Sequence, residues 1–167
     1  MHAPSRPPVP VETLLLAYRS GIFPMADRRD DPEVFWVEPR ERAIIPLEGL
    51  HLSKSLRKVL RADRFTVTVD QAFEAVIRAC AAAPRPAQGG TWITPAMITT
   101  YTEVHRRGMA HSVEACDGET LVAGLYGMDA GGVFAGESMF HRVDNGSKLC
   151  LLHLADHLRT RGSPWMD

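Results

Sequence analysis

Between Ala110 and Phe140 the chain carries three apolar stretches in close order, about 110–116, 121–129 and 132–140, separated only by Asp117-Gly118 and by Ala130-Gly131-Gly132. Residues that tolerate positive φ, set between β-rich segments, join antiparallel neighbours, so this region predicts a three-stranded meander on which the rest must pack. The last of these strands ends in Gly136-Glu137-Ser138-Met139-Phe140. It passes through a polar turn into a helix opened by Asn145, Gly146, Ser147 and Lys148. Polar groups at such a junction sit where a binding site would form. Gly136 lets another backbone or a ligand come close, Glu137 supplies an acceptor at the cleft, and Ser147 and Lys148 lie by the free N–H groups of a helix start.

The remaining elements follow from periodicity and punctuation. Val11 to Ser20 reads as an amphipathic helix stopped at Gly21, followed by a loop over 21–42 too aromatic to be a mere linker. Ala43 to Ile45 is a short strand closed by Pro46, Ser53 caps a helix to about Arg61, and Phe65 to Val69 alternates as a strand. Asp70 is expected to cap a helix to about Ala82. After the Pro/Gly-rich loop 84–90, Thr94-Pro95 is an N-cap with proline at the first helical position, opening a helix to about Arg107. The helix from Asn145 to about Arg161 leads into Trp165-Met166-Asp167, which reads as the start of another strand. The order predicts an α+β fold: a mostly antiparallel sheet with flanking helices and one late crossover. Residues 1–10 are expected to form a flexible tail, 11–62 a small N-terminal subdomain with a basic helix, and 63–167 the main domain. This order fits an acyltransferase of the N-acetyltransferase-like (GNAT) type, whose acyl donor binds in a split between two strands. The glycine-rich pyrophosphate cradle for acetyl-CoA is absent, and the turn 141–147, HRVDNGS, is a poor substitute. A different donor is indicated.

Composition narrows the function classes. With 167 residues, 45% hydrophobic and 23% charged, the chain can bury one sizeable core. A formal charge of -1 excludes a uniformly basic nucleic-acid binder but not a local patch. Such a patch exists: Lys54, Arg57, Lys58 and Arg61 recur at i, i+3, i+4 and i+7, hence on one helix face. That face either meets phosphates or is simply solvated. Cys80, Cys116 and Cys150 form no CxxC pair and lie in apolar runs, which predicts reduced, buried thiols in a cytoplasmic protein. No apolar run approaches the roughly 18 residues that span a bilayer, so no membrane association is expected. His153 and His157 lie one turn apart, but Leu154 stands where a zinc-site HExxH motif needs glutamate, and no metal site is read here. His105 and His111 read as structural or partner-facing rather than as general bases.

The segments LLLAYRSGIFPM, HLSKSLRK, GGTWIT, GMAHSVEA, LVAGLYG and FAGESMFHRVDNGSK, in this order and spacing, resemble the leucyl/phenylalanyl-tRNA–protein transferase family over roughly residues 11–167. GTWIT and GESMF with the following NxSK carry most of the specificity. The resemblance implies a GNAT-like domain behind a small N-terminal one. It also implies transfer of Leu or Phe, with Met a further candidate, from Leu-tRNA or Phe-tRNA to the N-terminal Arg or Lys of a protein. That transfer marks the protein for degradation and needs no cofactor, neither metal nor CoA. By the same resemblance, Trp92 offers a flat surface for the terminal adenine, and Met25 stands where the family has a second tryptophan, with less surface for the base. Leu125, Phe134 and Leu151 would line the pocket for the transferred side chain, although each is equally explained as core. Glu137, with Ser138 beside it, would orient the aminoacyl-adenosine; a salt bridge from Glu137 to Arg142 or Lys148 is the plainer alternative. Asp167 matches the family aspartate that receives the acceptor's positive N-terminal region, and a glutamine two places later completes that constellation in the family. The basic face of Lys54, Arg57, Lys58 and Arg61 would hold tRNA phosphates. Because the sequence stops at Asp167, before that glutamine, the expectation is a chain incomplete for catalysis. Two classes therefore stand at this point: a working aminoacyltransferase, and a truncated relative that only binds tRNA or a partner protein.

Overall fold

The computed structural model describes residues 8–85, 90–129 and 131–167. Residues 1–7 of the expected tail and residues 86–89 of the expected loop 84–90 lie outside the described residues. The meander forms as read: β5 (Ala110–Asp117), β6 (Thr120–Asp129) and β7 (Phe134–His141) pair antiparallel in sequence order, with β4 (Thr66–Val69) antiparallel on the outer side of β5. The Asp117-Gly118 turn works because Gly118 takes φ 60, a region costly for residues with a Cβ.

Alternating side chains split the sheet between two cores. Ala123 and Leu125 point to one face of β6, Tyr126 and Met128 to the other. The Tyr126 face is covered by α3 (Phe73–Ala82) and α4 (Pro95–Arg106), with α1 (Val11–Arg19) packed on α4; Val76, Ile77, Tyr101 and Val104 are fully buried there. The Leu125 face is covered by α5 (Gly146–Thr160), with α2 (Lys54–Ala62) against its outer side. A helix layer on each face of a mostly antiparallel sheet is the expected α+β arrangement. Thr94 caps α4, its hydroxyl accepting from the Met97 N–H at 3.2 Å, and Ser53 caps α2 by accepting from Leu56.

Three local expectations are corrected. Asp70 does not cap α3. It sits at φ 58 and turns its carboxylate to the Ser112 N–H and to His111, while the buried Glu114 of β5 accepts from the Ala72 N–H at the start of α3. The segment 21–42 is not all loop: β1 (Phe23–Met25) and β2 (Phe35–Val37) make a small hairpin. Cys80 and Cys150 are buried, but Cys116 is only half-buried.

The chain end is tied in twice. In a short antiparallel pair, β3 (Ile45–Pro46) meets β8 (Trp165–Met166). Beyond β8, the Asp167 N–H donates to the Phe134 carbonyl at 3.0 Å and the Asp167 carbonyl accepts from the Gly136 N–H at 2.7 Å. Those two bonds straddle Ala135, the pattern of a parallel pairing, so β7, α5 and the end of the chain form one crossover. Among the described residues no helix is long and apolar enough to cross a membrane.

Candidate functional site

At the start of β7 the strand β1, the stretch 39–43, Trp92 and Asp167 enclose a cleft of about 300 Å³. Five of the residues singled out in the sequence line it together: Met25, Trp92, Gly136, Glu137 and Asp167. Trp92 is anchored on the apolar core beneath α4 while part of its ring system remains open to the cleft.

A β-bulge places Glu137. Tyr126 pairs with Ser138 and the next residue, Gly127, pairs with Gly136, so Glu137 is the extra residue of β7. An inserted residue breaks the alternation, and Glu137 and Ser138 consequently both turn toward the helices α1, α3 and α4. Glu137 meets two tyrosines that the sequence reading passed over. The Tyr18 hydroxyl, from α1, makes a short hydrogen bond to Glu137 Oε1, the Tyr101 hydroxyl, from α4, lies 3.5 Å from Oε2, and the two hydroxyls are 2.7 Å apart. Burial pushes the Glu137 carboxyl up to about 7, against the opposing pull of the Tyr18 hydroxyl and the Arg42 guanidinium. Burial raises both tyrosines well above their ordinary value, so they remain donors at neutral pH. A carboxyl poised near 7 at a cleft can give or take a proton under physiological conditions. The expected alternative, a salt bridge to Arg142 or Lys148, does not form; the Arg142 guanidinium instead donates to the Leu121 carbonyl at 2.9 Å.

Asp167 is held by Arg42. The guanidinium makes a close ion pair with the Asp167 carboxylate, donates to the Gly21 carbonyl at 3.0 Å, and lies over the Phe23 ring at 5.5 Å. Sequence reasoning missed Arg42, whose signal was only a charge in a proline-rich stretch.

The other named residues lie elsewhere. Ser138 accepts from the Arg85 guanidinium at 2.6 Å and sits beside Cys80, whose thiol burial pushes up to about 12. Leu125, Phe134 and Leu151 belong to the core on the α5 face, and the structure does not bring them to the Trp92 cleft. Phe134 instead borders a second cleft of about 460 Å³ with Asp70, His111, Leu154 and His157. Lys54, Arg57, Lys58 and Arg61 are all exposed on α2. Structural roles account for His105, stacked on Phe73 at 4.3 Å with Nδ1 2.8 Å from the Ala110 carbonyl, and for His111, 2.7 Å from Asp70. Among the described residues, no cluster of three or more His, Cys, Asp or Glu is placed to hold a metal ion.

Comparison with known proteins decides the family. The family model for the leucyl/phenylalanyl-tRNA protein transferase matches residues 44–167, and the model for the N-terminal domain of that transferase matches residues 9–40. The chain belongs to this transferase family. Relatives named leucyl/phenylalanyl-tRNA–protein transferase include those of Novosphingobium aromaticivorans, 55% identical over 159 residues, and Rhodospirillum rubrum, 51% identical over 156 residues. That of Afipia carboxidovorans is 49% identical over 156 residues. These alignments take in 95%, 93% and 93% of this chain but 60%, 73% and 68% of the respective relatives. The cleft is assembled from both matched regions of the transferase family: Phe23 and Met25 come from the N-terminal match, and Trp92, Glu137 and Asp167 from the longer one.

Proposed function

We propose that the cleft takes the aminoacyl-adenosine end of a charged tRNA. The reaction in this reading is transfer of Leu or Phe, with Met a further candidate, to the N-terminal Arg or Lys of a protein. The single observation that carries it is the meeting, on one cleft, of an aromatic face, Trp92, with a carboxyl whose pKa of about 7 suits proton transfer, Glu137. The relatives' names, leucyl/phenylalanyl-tRNA–protein transferase, support the coarser part of this reading, transfer of Leu or Phe from tRNA to a protein.

An aminoacyl ester is already activated, so no covalent nucleophile is needed. The protein must hold two substrates in register and manage two protons, one lost before attack and one passed to the leaving oxygen. The acceptor's amine arrives as an ammonium; Glu137 takes one proton and releases it to solvent, and the neutral amine attacks the ester carbonyl. As the C–N bond forms and the bond to the ribose oxygen breaks, the nitrogen gives up a second proton, which Glu137 relays to that oxygen. Tyr18 and Tyr101 hold the carboxyl through both states. Asp167 attracts the acceptor's positive end, sharing its charge with Arg42. Ser138, fixed by Arg85, steadies the bulge beside Glu137. Leu125, Phe134 and Leu151 lie with the core on the α5 face, away from this cleft, and take no part in this reading.

The exposed face of α2 is the proposed phosphate contact. In the double variant Lys54→Glu with Lys58→Glu, affinity for Phe-tRNA and Leu-tRNA is expected to fall by about the same factor, since phosphates carry no sequence information. The slope of log affinity against log salt should become shallower by about two units. Filter binding across a salt series measures this. Unchanged affinity at low salt would remove α2 from the interface, and equal affinity of wild type for charged and deacylated tRNA would count against the cleft as an aminoacyl site.

A further inference from the structure

We infer that Glu41 is the carboxylate that makes the cleft select an acceptor with a cationic first side chain; this rests on the transfer reading of the cleft. An acceptor that begins with Arg or Lys brings two positive charges, its α-ammonium and its side chain, and only the first is consumed in the reaction. The second persists through bond formation. It needs a counter-charge of its own, because a cation drawn from water into a cleft without one is disfavoured. Four groups lining the cleft carry or can carry charge: Glu41, Arg42, Glu137 and Asp167. Three of them are engaged inside the protein. Glu137 is bonded to Tyr18 and Tyr101, and Arg42 is paired with Asp167, held by the Gly21 carbonyl and laid over Phe23. Arg42 offsets Asp167, whose residual pull goes to the acceptor's backbone end, so the charge left for the side chain is that of Glu41.

Glu41 has no hydrogen-bond or ion-pair partner among the described residues. Exposed and yet part of the lining, it stands at the cleft's mouth, where an acceptor enters. Its backbone is fixed from both sides, by Pro39 with its locked φ and by the anchored Arg42. A free carboxylate on a held backbone presents its charge at one place and loses no internal contact when a guanidinium or ammonium arrives. Partly exposed pairs of this kind contribute modestly, which suits a preference between acceptors rather than an absolute requirement.

The probes are two peptides labelled at the C-terminus and identical beyond the first residue, one starting with Arg and one with citrulline, which keeps the shape and carries no charge. Binding is read by fluorescence anisotropy at low salt on wild type, Glu41→Gln, Glu41→Asp and Arg42→Gln. Wild type should prefer the Arg peptide. Glu41→Gln should weaken that peptide about three- to fivefold and leave the citrulline peptide near wild type, and Glu41→Asp should recover part of the loss. The melting temperature of Glu41→Gln should match wild type. An undiminished preference for Arg in Glu41→Gln overturns the inference and leaves the transfer reading standing, the more so if Arg42→Gln tightens the Arg peptide, which would assign the side chain to Asp167 instead. Equal weakening of both peptides by Glu41→Gln overturns it too. No preference in wild type overturns the acceptor reading and the inference with it.

Discussion

Glu137→Gln is expected to flatten the pH dependence of stability between about pH 4.5 and 7 and to leave the variant more stable than wild type above pH 7. The Glu137 carboxyl has a pKa of about 7 in the folded state against an ordinary 4.5. Across that window the folded chain keeps a proton that the unfolded chain has released. Stability from this group is therefore complete below about pH 4.5 and is lost as pH rises through 7, a fall of about 3 kcal/mol if the whole shift is realised. Glutamine keeps the shape and the acceptor for Tyr18 and carries no charge to bury. Urea unfolding at pH 5 and pH 8 measures the effect; parallel profiles for the two proteins would show that Glu137 is not held in a proton-binding environment. The same change removes the proposed proton acceptor, so turnover should fall while the fold is retained.

Gly127→Ala is expected to destabilise the chain by about 3 kcal/mol through overpacking. A Cβ at Gly127 would press into the Ala135 carbonyl oxygen and the Phe134 ring, far inside van der Waals contact, and the oxygen belongs to backbone that cannot rotate away. Gly127 faces Gly136 at the bulge, so relief of the clash must open the strand pair that sets Glu137 against Tyr18 and Tyr101. The variant should thus lose both stability and the pH dependence described above. Gly136→Ala is the contrast: its Cβ would meet only the Asp167 carbonyl oxygen, at an ordinary 3.4 Å, and should change stability by no more than about 0.5 kcal/mol. Thermal melts of the two variants separate these outcomes, and a Gly127→Ala protein as stable as wild type would refute the assignment of the close contact.

Local signals made much of this fold legible. Asp117-Gly118 and the glycines before β7 dictate tight turns, so the meander could be read from a few residues, and Thr94-Pro95 marked the start of α4 because cap and proline act within one turn. The hairpin β1–β2 was missed: strands of three residues, one centred on Pro24, carry no alternation to detect. Asp70 looked like a cap, but a carboxylate distant in sequence, Glu114, took that place once β5 was folded beside it. At the cleft, Trp92, Glu137 and Asp167 were legible through motif likeness. Tyr18 and Tyr101 were not, because a tyrosine on an apolar helix face reads as core until its hydroxyl finds a partner more than 30 residues away. The bulge was equally invisible, since it arises from pairing between Gly127 and Gly136 and not from either strand alone.

The central claim is that the cleft under Trp92 receives the aminoacyl-adenosine end. Titrating the phenylalanyl amide of adenosine into isotope-labelled protein, and following backbone amide and indole N–H resonances, tests it most directly. The account predicts saturable shifts concentrated at Met25, Trp92, Gly136 and Glu137, with the α5 face unchanged. Shifts confined to the second cleft, at His111, Leu154 and His157, or no saturable shift at all, would contradict it.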